Sequence, residues 1–161
     1  MSHHPSAHIR RLRPRLPTSK SIVAAGSAPR AGRDPIDNEL TALSLFGTAM
    51  SSPMRAETIV VPLDQRSIGQ AIVYVDGTVE DEAIVRVIEM VALAQGLHDH
   101  HRLIAATVRP GRGLEVGDDQ RWMEASWAAE RYGCQLIEWF VIGNGVWLPR
   151  EVLGECQRWP A

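Results

Sequence analysis

The chain has 161 residues, 45% of them hydrophobic and 22% charged, with a formal net charge of −2; that suffices for one domain of ordinary size plus a tail, and about a hundred folded residues bury a real core. No apolar run approaches the roughly 20 residues of a membrane-spanning helix, which excludes a helical membrane protein. The two cysteines, Cys134 and Cys156, have neither zinc-knuckle nor redox spacing and read as buried or idle thiols of a reducing cytosol, so a cytoplasmic location is expected.

Charge is unevenly placed along the chain. Residues 1–33 hold seven bases, Arg10, Arg11, Arg13, Arg15, Lys20, Arg30 and Arg33, and no acid, while the remaining 128 residues hold ten bases against all nineteen acids. Pro, Ser, Gly and Ala punctuate the basic part and no periodic apolar face runs through it, which predicts a disordered arm over residues 1–35. Three readings of that arm are open: a solvated leader, including a transit peptide; nucleic-acid binding through Arg10, Arg11, Arg13 and Arg15; or folding back on the acidic domain. Residues 36–56 read as a short helix and linker, since Leu40, Leu43 and Phe46 have loosely helical spacing. That helix is expected to pack on the domain or on a partner. Residues 57–161 read as one folded domain.

Within the domain, Ile59, Val60, Val61, Leu63 and then Ile72, Val73, Tyr74, Val75 are β-branched runs bounded by Pro, Asp and Gly, the pattern of strands. Pro62 withdraws a ladder donor, so the first strand is expected at an edge or bulged there. Thr78 and the acids at 80–82 precede Ile84, Val87, Ile88, Val91 and Ala94, which predicts a capped amphipathic helix over 81–95. His98, Asp99, His100 and His101 then form a dense run of metal-ligand types. Neighbouring residues on a turn diverge, so the run reads as a solvated loop, with a fallback metal site at His98, His100 and His101 as the alternative.

Leu103 to Val108 suits a buried strand that Pro110, Gly111 and Gly113 end. Asp118 is expected to cap a second helix with Trp122, Ala125, Ala129 and Tyr132 on one face and Gly133 as its left-handed stop. Residues 136–142 are the most strand-like run, with Leu136, Glu138, Phe140 and Ile142 alternating against Ile137, Trp139 and Val141. Gly143-Asn144-Gly145 is expected to reverse the chain through positive φ into Val146, Trp147 and Leu148, and Pro149 to open a short terminal helix. All five tryptophans fall in the last 40 residues. They read as core, with an exposed patch around Trp127 as the alternative.

In this order, E-T-I-V-V-P-L-D-Q at 57–65, A-I-V-Y-V-D-G-T-V at 71–79, L-I-A-A-T-V-R-P-G at 103–111 and C-Q-L-I-E-W-F-V-I-G-N-G-V-W-L at 134–148 resemble the RadC branch of the JAB/MPN (JAMM) metalloprotease-like domains. In that family an apolar strand runs into H-N-H-P-S-G, a loop with Ser and Asp opens a helix, and a strand ending I-I-G-D-G leads into an aromatic strand. The resemblance covers roughly residues 57–152 and implies a three-layer α/β domain, cytidine-deaminase-like, with a mixed, mostly antiparallel sheet flanked by helices. Aligning Pro110 with the motif's Pro sets Thr107 and Arg109 at the two His ligands. Counting on sets Gln120 at the Asp ligand, with Asp118 and Asp119 as near misses. The water-activating glutamate belongs on the second strand, where Gln70, Ala71, Ile72 and Val73 stand instead.

What the resemblance implies is therefore a degenerate, bacterial-type member with no catalytic residue and no cofactor. Such a chain would serve as a binding or assembly module through a protein partner or self-association, as ligand-less members of the superfamily do. Arg109 would enter the vacated cleft and either pair with Asp118, Asp119 or Glu138, or hold an anionic group of a partner. The alternatives are a zinc-dependent JAMM-type, isopeptidase-like metallohydrolase and a DNA-repair-associated RadC-type protein that meets DNA through its basic arm.

Overall fold

The computed structural model describes residues 27–95 and 101–160, and its first helix follows from a polar cap. Asn38 is extended and its side-chain oxygen accepts the Thr41 amide at 2.9 Å, which satisfies one of the donors a helix start leaves open. Helix α1 (Glu39–Ala49) follows and buries Ala42, Leu43, Ser44 and Phe46. Then come β1 (Glu57–Leu63), β2 (Val73–Asp76), α2 (Ala83–Gln95), β3 (His101–Val108), α3 (Asp118–Arg131), β4 (Cys134–Ile142), β5 (Val146–Trp147) and α4 (Pro149–Val152). No helix among the described residues is long and apolar enough to cross a membrane.

The strands form one sheet in the order β2-β1-β3-β4-β5. β1 is antiparallel to β2 and β3, β3 and β4 are parallel, and β5 returns antiparallel to β4. The parallel step needs a crossover, and α3 supplies it. One sheet face buries Val60, Leu103, Ala105 and Leu136 beneath α2 and α3. The other buries Ile59, Val61, Ile104 and Phe140 with Leu43 and Phe46 of α1. The result is a mixed α/β fold of three layers, which is why β1 is buried along its whole length and reads as a continuous apolar run.

Several local expectations change in the structure. β1 is internal, yet Pro62 is accommodated because it lies beyond the paired part of β2, which ends at Val60↔Val73. There the Pro62 carbonyl accepts the Gln70 amide at 2.9 Å, so the missing donor falls on a side without a regular ladder. On α2 the buried stripe runs Ile84, Val87, Ile88, Val91 and Ala92; Ala94 is exposed, because Ala92 continues the row four residues beyond Ile88. In β4 the register steps from Leu103↔Leu136 to Ile104↔Glu138. The extra residue is a β-bulge that breaks the alternation: Leu136, Trp139 and Val141 join the α2/α3 core, and Ile137, Phe140 and Ile142 the α1 core.

The turn after β4 also differs from its expectation. Positive φ occurs at Gly111, Gly117 and Gly133 among others, but at none of residues 143–145. Gly143 is needed for space instead. A Cβ there would overlap the carbonyl oxygens of Arg112 and Arg109, while the Arg109 amide donates to Ile142 at 2.7 Å and the Asn144 amide to Arg112 at 2.9 Å. The loop after β3 is thereby stitched to the turn after β4.

At the N-terminal side, residues 29–36, which composition assigns to the arm and its linker, lie on the domain. Arg30 donates to the Asp34 carboxylate from its amide at 2.8 Å and from its guanidinium at 3.0 Å. Pro35 bridges Ile68, and Ile36 is buried and donates to the Ser67 carbonyl at 2.7 Å. An ion-paired turn followed by a buried isoleucine explains why this stretch does not behave as the basic residues before it suggest.

Candidate functional site at the end of β3

Strand alternation sends Thr107 and Arg109 to the same side of the sheet, toward the start of α3. Asp118 does not cap that helix. The cap is Gly117, at φ 95° with no side-chain bond, and the Asp118 carboxylate is engaged elsewhere. Arg109 grips it with two parallel bonds, Nη1 to Oδ2 at 2.7 Å and Nη2 to Oδ1 at 2.9 Å, and the Glu115 amide donates to Oδ2 at 2.7 Å. A further bond runs from Arg109 Nη1 to the Gly113 carbonyl at 3.2 Å. Arg109 is 5% and Asp118 2% exposed. Burial alone pulls the guanidinium down, but the hydrogen bond and charge of Asp118, helped by Glu115 and Asp81, outweigh it and hold the group above its usual range.

Behind this pair, Trp139 Nε1 donates to Thr107 Oγ1 at 2.9 Å in the core, and the Arg109 guanidinium carbon lies 5.9 Å from the Trp139 ring centre. Gln120 is not part of the cluster. It is exposed and donates to Glu124 at 3.1 Å, because two residues beyond Asp118 is about 200° around a helix. Asp119 is half-buried. The helix start therefore brings Asp118, rather than Gln120 or Asp119, to Arg109.

Glu138 belongs to a second buried pair. Arg150 of α4 meets it with Nη2 to Oε2 at 2.9 Å and Nε to Oε2 at 3.0 Å, and its Nη1 donates to the Glu155 carbonyl at 2.7 Å. Burial pushes the Glu138 carboxyl up to about 7, more than Arg150 draws it down. Glu155 in turn accepts Trp122 Nε1 and Arg158 Nη2, each at 3.0 Å, and the Arg158 guanidinium stacks 4.5 Å over the Trp122 ring. Reading the chain missed Arg150, Glu155 and Arg158. One signal was present: a carboxylate inside the most strand-like run demands a buried cation, although it does not say which.

As arranged, Arg109 and Asp118 are buried and paired and brace the strand-loop-helix junction, while Glu138 is buried and paired with Arg150 and ties β4 to α4. The donor set does not fit zinc: the Thr107 oxygen accepts from Trp139, Arg109 is a cation, and Gln120 faces away, leaving Asp118 as the single ligand type. Of the fallback residues, His98 and His100 lie outside the described residues, with Asp99. His101 is half-buried at the start of β3, and its Nδ1 has no hydrogen-bond partner among the described residues. Among the described residues no three His, Cys, Asp or Glu are placed to hold a metal. Arg10, Arg11, Arg13 and Arg15 also lie outside the described residues. Trp122 and Trp139 are fully buried, whereas Trp127 is 57% exposed, on the side of α3 opposite the core.

No family model, no curated protein and no solved structure matches the chain.

Proposed function

We propose that the chain is a RadC-like JAB/MPN domain that has lost its metal and works as a catalytically inactive binding or assembly module. One observation carries this reading: where the family motif would gather its ligands, at the end of β3 and the start of α3, the Arg109 guanidinium is buried and bidentate on Asp118. A fixed cation there replaces a metal's charge without its chemistry. Lowering the pKa of a water from about 16 to about 7 requires direct coordination to the ion, and a guanidinium is never deprotonated and so cannot serve as a base. The three-layer architecture and the mostly antiparallel sheet support the same assignment, as does a β2 built of Val73, Tyr74, Val75 and Asp76 with no glutamate on it.

The test is zinc binding by untagged protein. The native chain is expected to purify without stoichiometric zinc and to gain no thermal stability from it. Thr107→His with Arg109→His, with Asp118 left in place as the third ligand, is expected to acquire zinc-dependent stabilisation, about 4 kcal/mol at a thousandfold excess over Kd, without hydrolysing an isopeptide. One equivalent of zinc in the native protein that survives replacement of His98 and His100 overturns the proposal.

A further inference from the structure

The outer side of β4 is finished mostly without a strand. β5 pairs only with Val141 and Ile142, and no other described strand lies beyond β4, so residues 134–140 form an open edge. Such an edge invites pairing unless something covers it. The cover is the segment after α4, residues 153–160, which has no regular helix or strand and lies against α3 and β4.

Side chains rather than backbone fasten this strap. Arg158 Nη1 donates to the Leu136 carbonyl at 2.9 Å and to Ser126 Oγ at 3.1 Å, so a side chain satisfies a backbone acceptor of β4. Glu155 is the hub: its carboxylate accepts Trp122 Nε1 and Arg158 Nη2, and its carbonyl accepts Arg150 Nη1. Trp159 packs, half-buried, against the α1 core. Among the described residues no backbone-to-backbone hydrogen bond involves residues 156–160. The floor beneath is buried, with Trp122 and Ser126 at 0% and 3% exposure. The Glu155–Arg158 pair above it is 34% and 21% exposed on its side chains, and ion pairs open to water hold weakly.

The chemistry of that floor defines what it accepts. The Trp122 N–H is a donor and suits a carboxylate, whereas the Leu136 carbonyl and the Ser126 hydroxyl suit a guanidinium. The Trp122 ring, 4.5 Å from the Arg158 guanidinium carbon, adds a cation–π contact that favours a planar fork over an ammonium. Glu155 and Arg158, three residues apart, meet both requirements. Buried donors and acceptors left unmet are costly, so the floor favours an occupant of this kind over none.

We propose that the floor formed by Trp122, Ser126 and Leu136 is a peptide-binding site for extended segments of the form Glu-x-x-Arg, and that residues 153–160 occupy it as a releasable internal ligand. A partner protein that carries this spacing takes the site by displacing the strap. The strap therefore keeps the β4 edge closed until such a partner competes for it. Nothing in this docking depends on the family assignment.

Hydrogen exchange on the full chain tests it, read at the Trp122 indole N–H and at the Ile59 and Leu103 amides. In the native protein the indole is expected to be protected at least about tenfold less than Leu103, because the strap opens without global unfolding. Glu155→Ala combined with Arg158→Ala should lower the indole protection by a further tenfold or so, while Ile59 and Leu103 stay protected. A synthetic peptide of residues 153–160, added to that variant in reducing buffer at on the order of 1 mM, the effective concentration of a short tether, should restore protection about twofold or more. The same peptide with both alanines should restore none. Indole exchange as slow as that of Leu103 in the native chain overturns the proposal, since the strap then opens only with the fold. Loss of Leu103 protection in the variant overturns it for the same reason. Absent or equal rescue by the two peptides overturns the assigned ligand chemistry and the proposal with it.

Discussion

Replacing Arg109 by alanine leaves the Asp118 carboxylate, 2% exposed, without the two bonds of 2.7 and 2.9 Å that hold it. Removing one member of a buried ion pair costs about 3 to 5 kcal/mol, because the remaining charge is stranded out of water. Two features of the junction place the expectation at the lower end. Asp118 keeps the Glu115 amide at 2.7 Å, and it lies in the first turn of α3, where the helix dipole favours an anion by about 0.3 to 1 kcal/mol. The lost contact with the Trp139 ring adds little at 5.9 Å. Arg109→Ala should therefore destabilise the fold by about 3 kcal/mol, measured by urea unfolding at pH 7 through tryptophan fluorescence, with buried Trp139 as a nearby reporter. Arg112, 51% exposed on its side chain and paired with Glu115 at 2.7 Å, is the control, since exposed pairs contribute about 0.2 to 1 kcal/mol. Arg109→Met combined with Asp118→Leu should recover most of the loss, because neither charge is then left alone. Equal, small effects of Arg109→Ala and Arg112→Ala would show that the pair is open to water and would refute the reasoning.

Gly143→Ala should destabilise by on the order of 3 kcal/mol, as the clash falls on backbone carbonyls that cannot turn aside; a loss under about 1 kcal/mol in the same assay would mean that the loop at 109–112 yields. For Glu138 the sign of the pH dependence follows from a carboxyl raised from 4.5 to about 7 by burial. The folded protein keeps that proton to higher pH than the unfolded chain, so the contribution is full below pH 4.5 and is lost as pH rises through about 7. The stability difference between native protein and Glu138→Gln should change across this window by up to about 3 kcal/mol, and a difference that stays constant with pH contradicts it.

The amphipathic rows on α2 and α3 are legible in the chain because a helix face is a local property: Ile84, Val87, Ile88 and Val91, or Trp122, Ala125 and Ala129, need only the 3.6-residue repeat to share a side. The mixed α/β class is legible for the same reason, as is the dissection into short β-branched runs broken by Pro and Gly. The pairing of Arg109 with Asp118 was open among three acids, because its two members are nine residues apart across a loop. Only the turn of Gly117 decides which of Asp118, Asp119 and Gln120 faces the strand end.

Tertiary structure alone decided the rest. Strict alternation along β4 assumes one residue per step, and the bulge between Leu136 and Glu138 shifts that count, so Leu136 and Phe140 part company. Glu138 finds Arg150 rather than Arg109, because its partner comes from a helix beyond the next turn, and no spacing rule reaches across a packed core. Gly143 is required by the carbonyls of a distant loop rather than by its own φ. Periodicity and local conformational preference are written residue by residue into the chain. Which buried charges neutralise each other depends on the folded geometry that brings remote segments together, and that became visible only when the sheet and its helices were assembled.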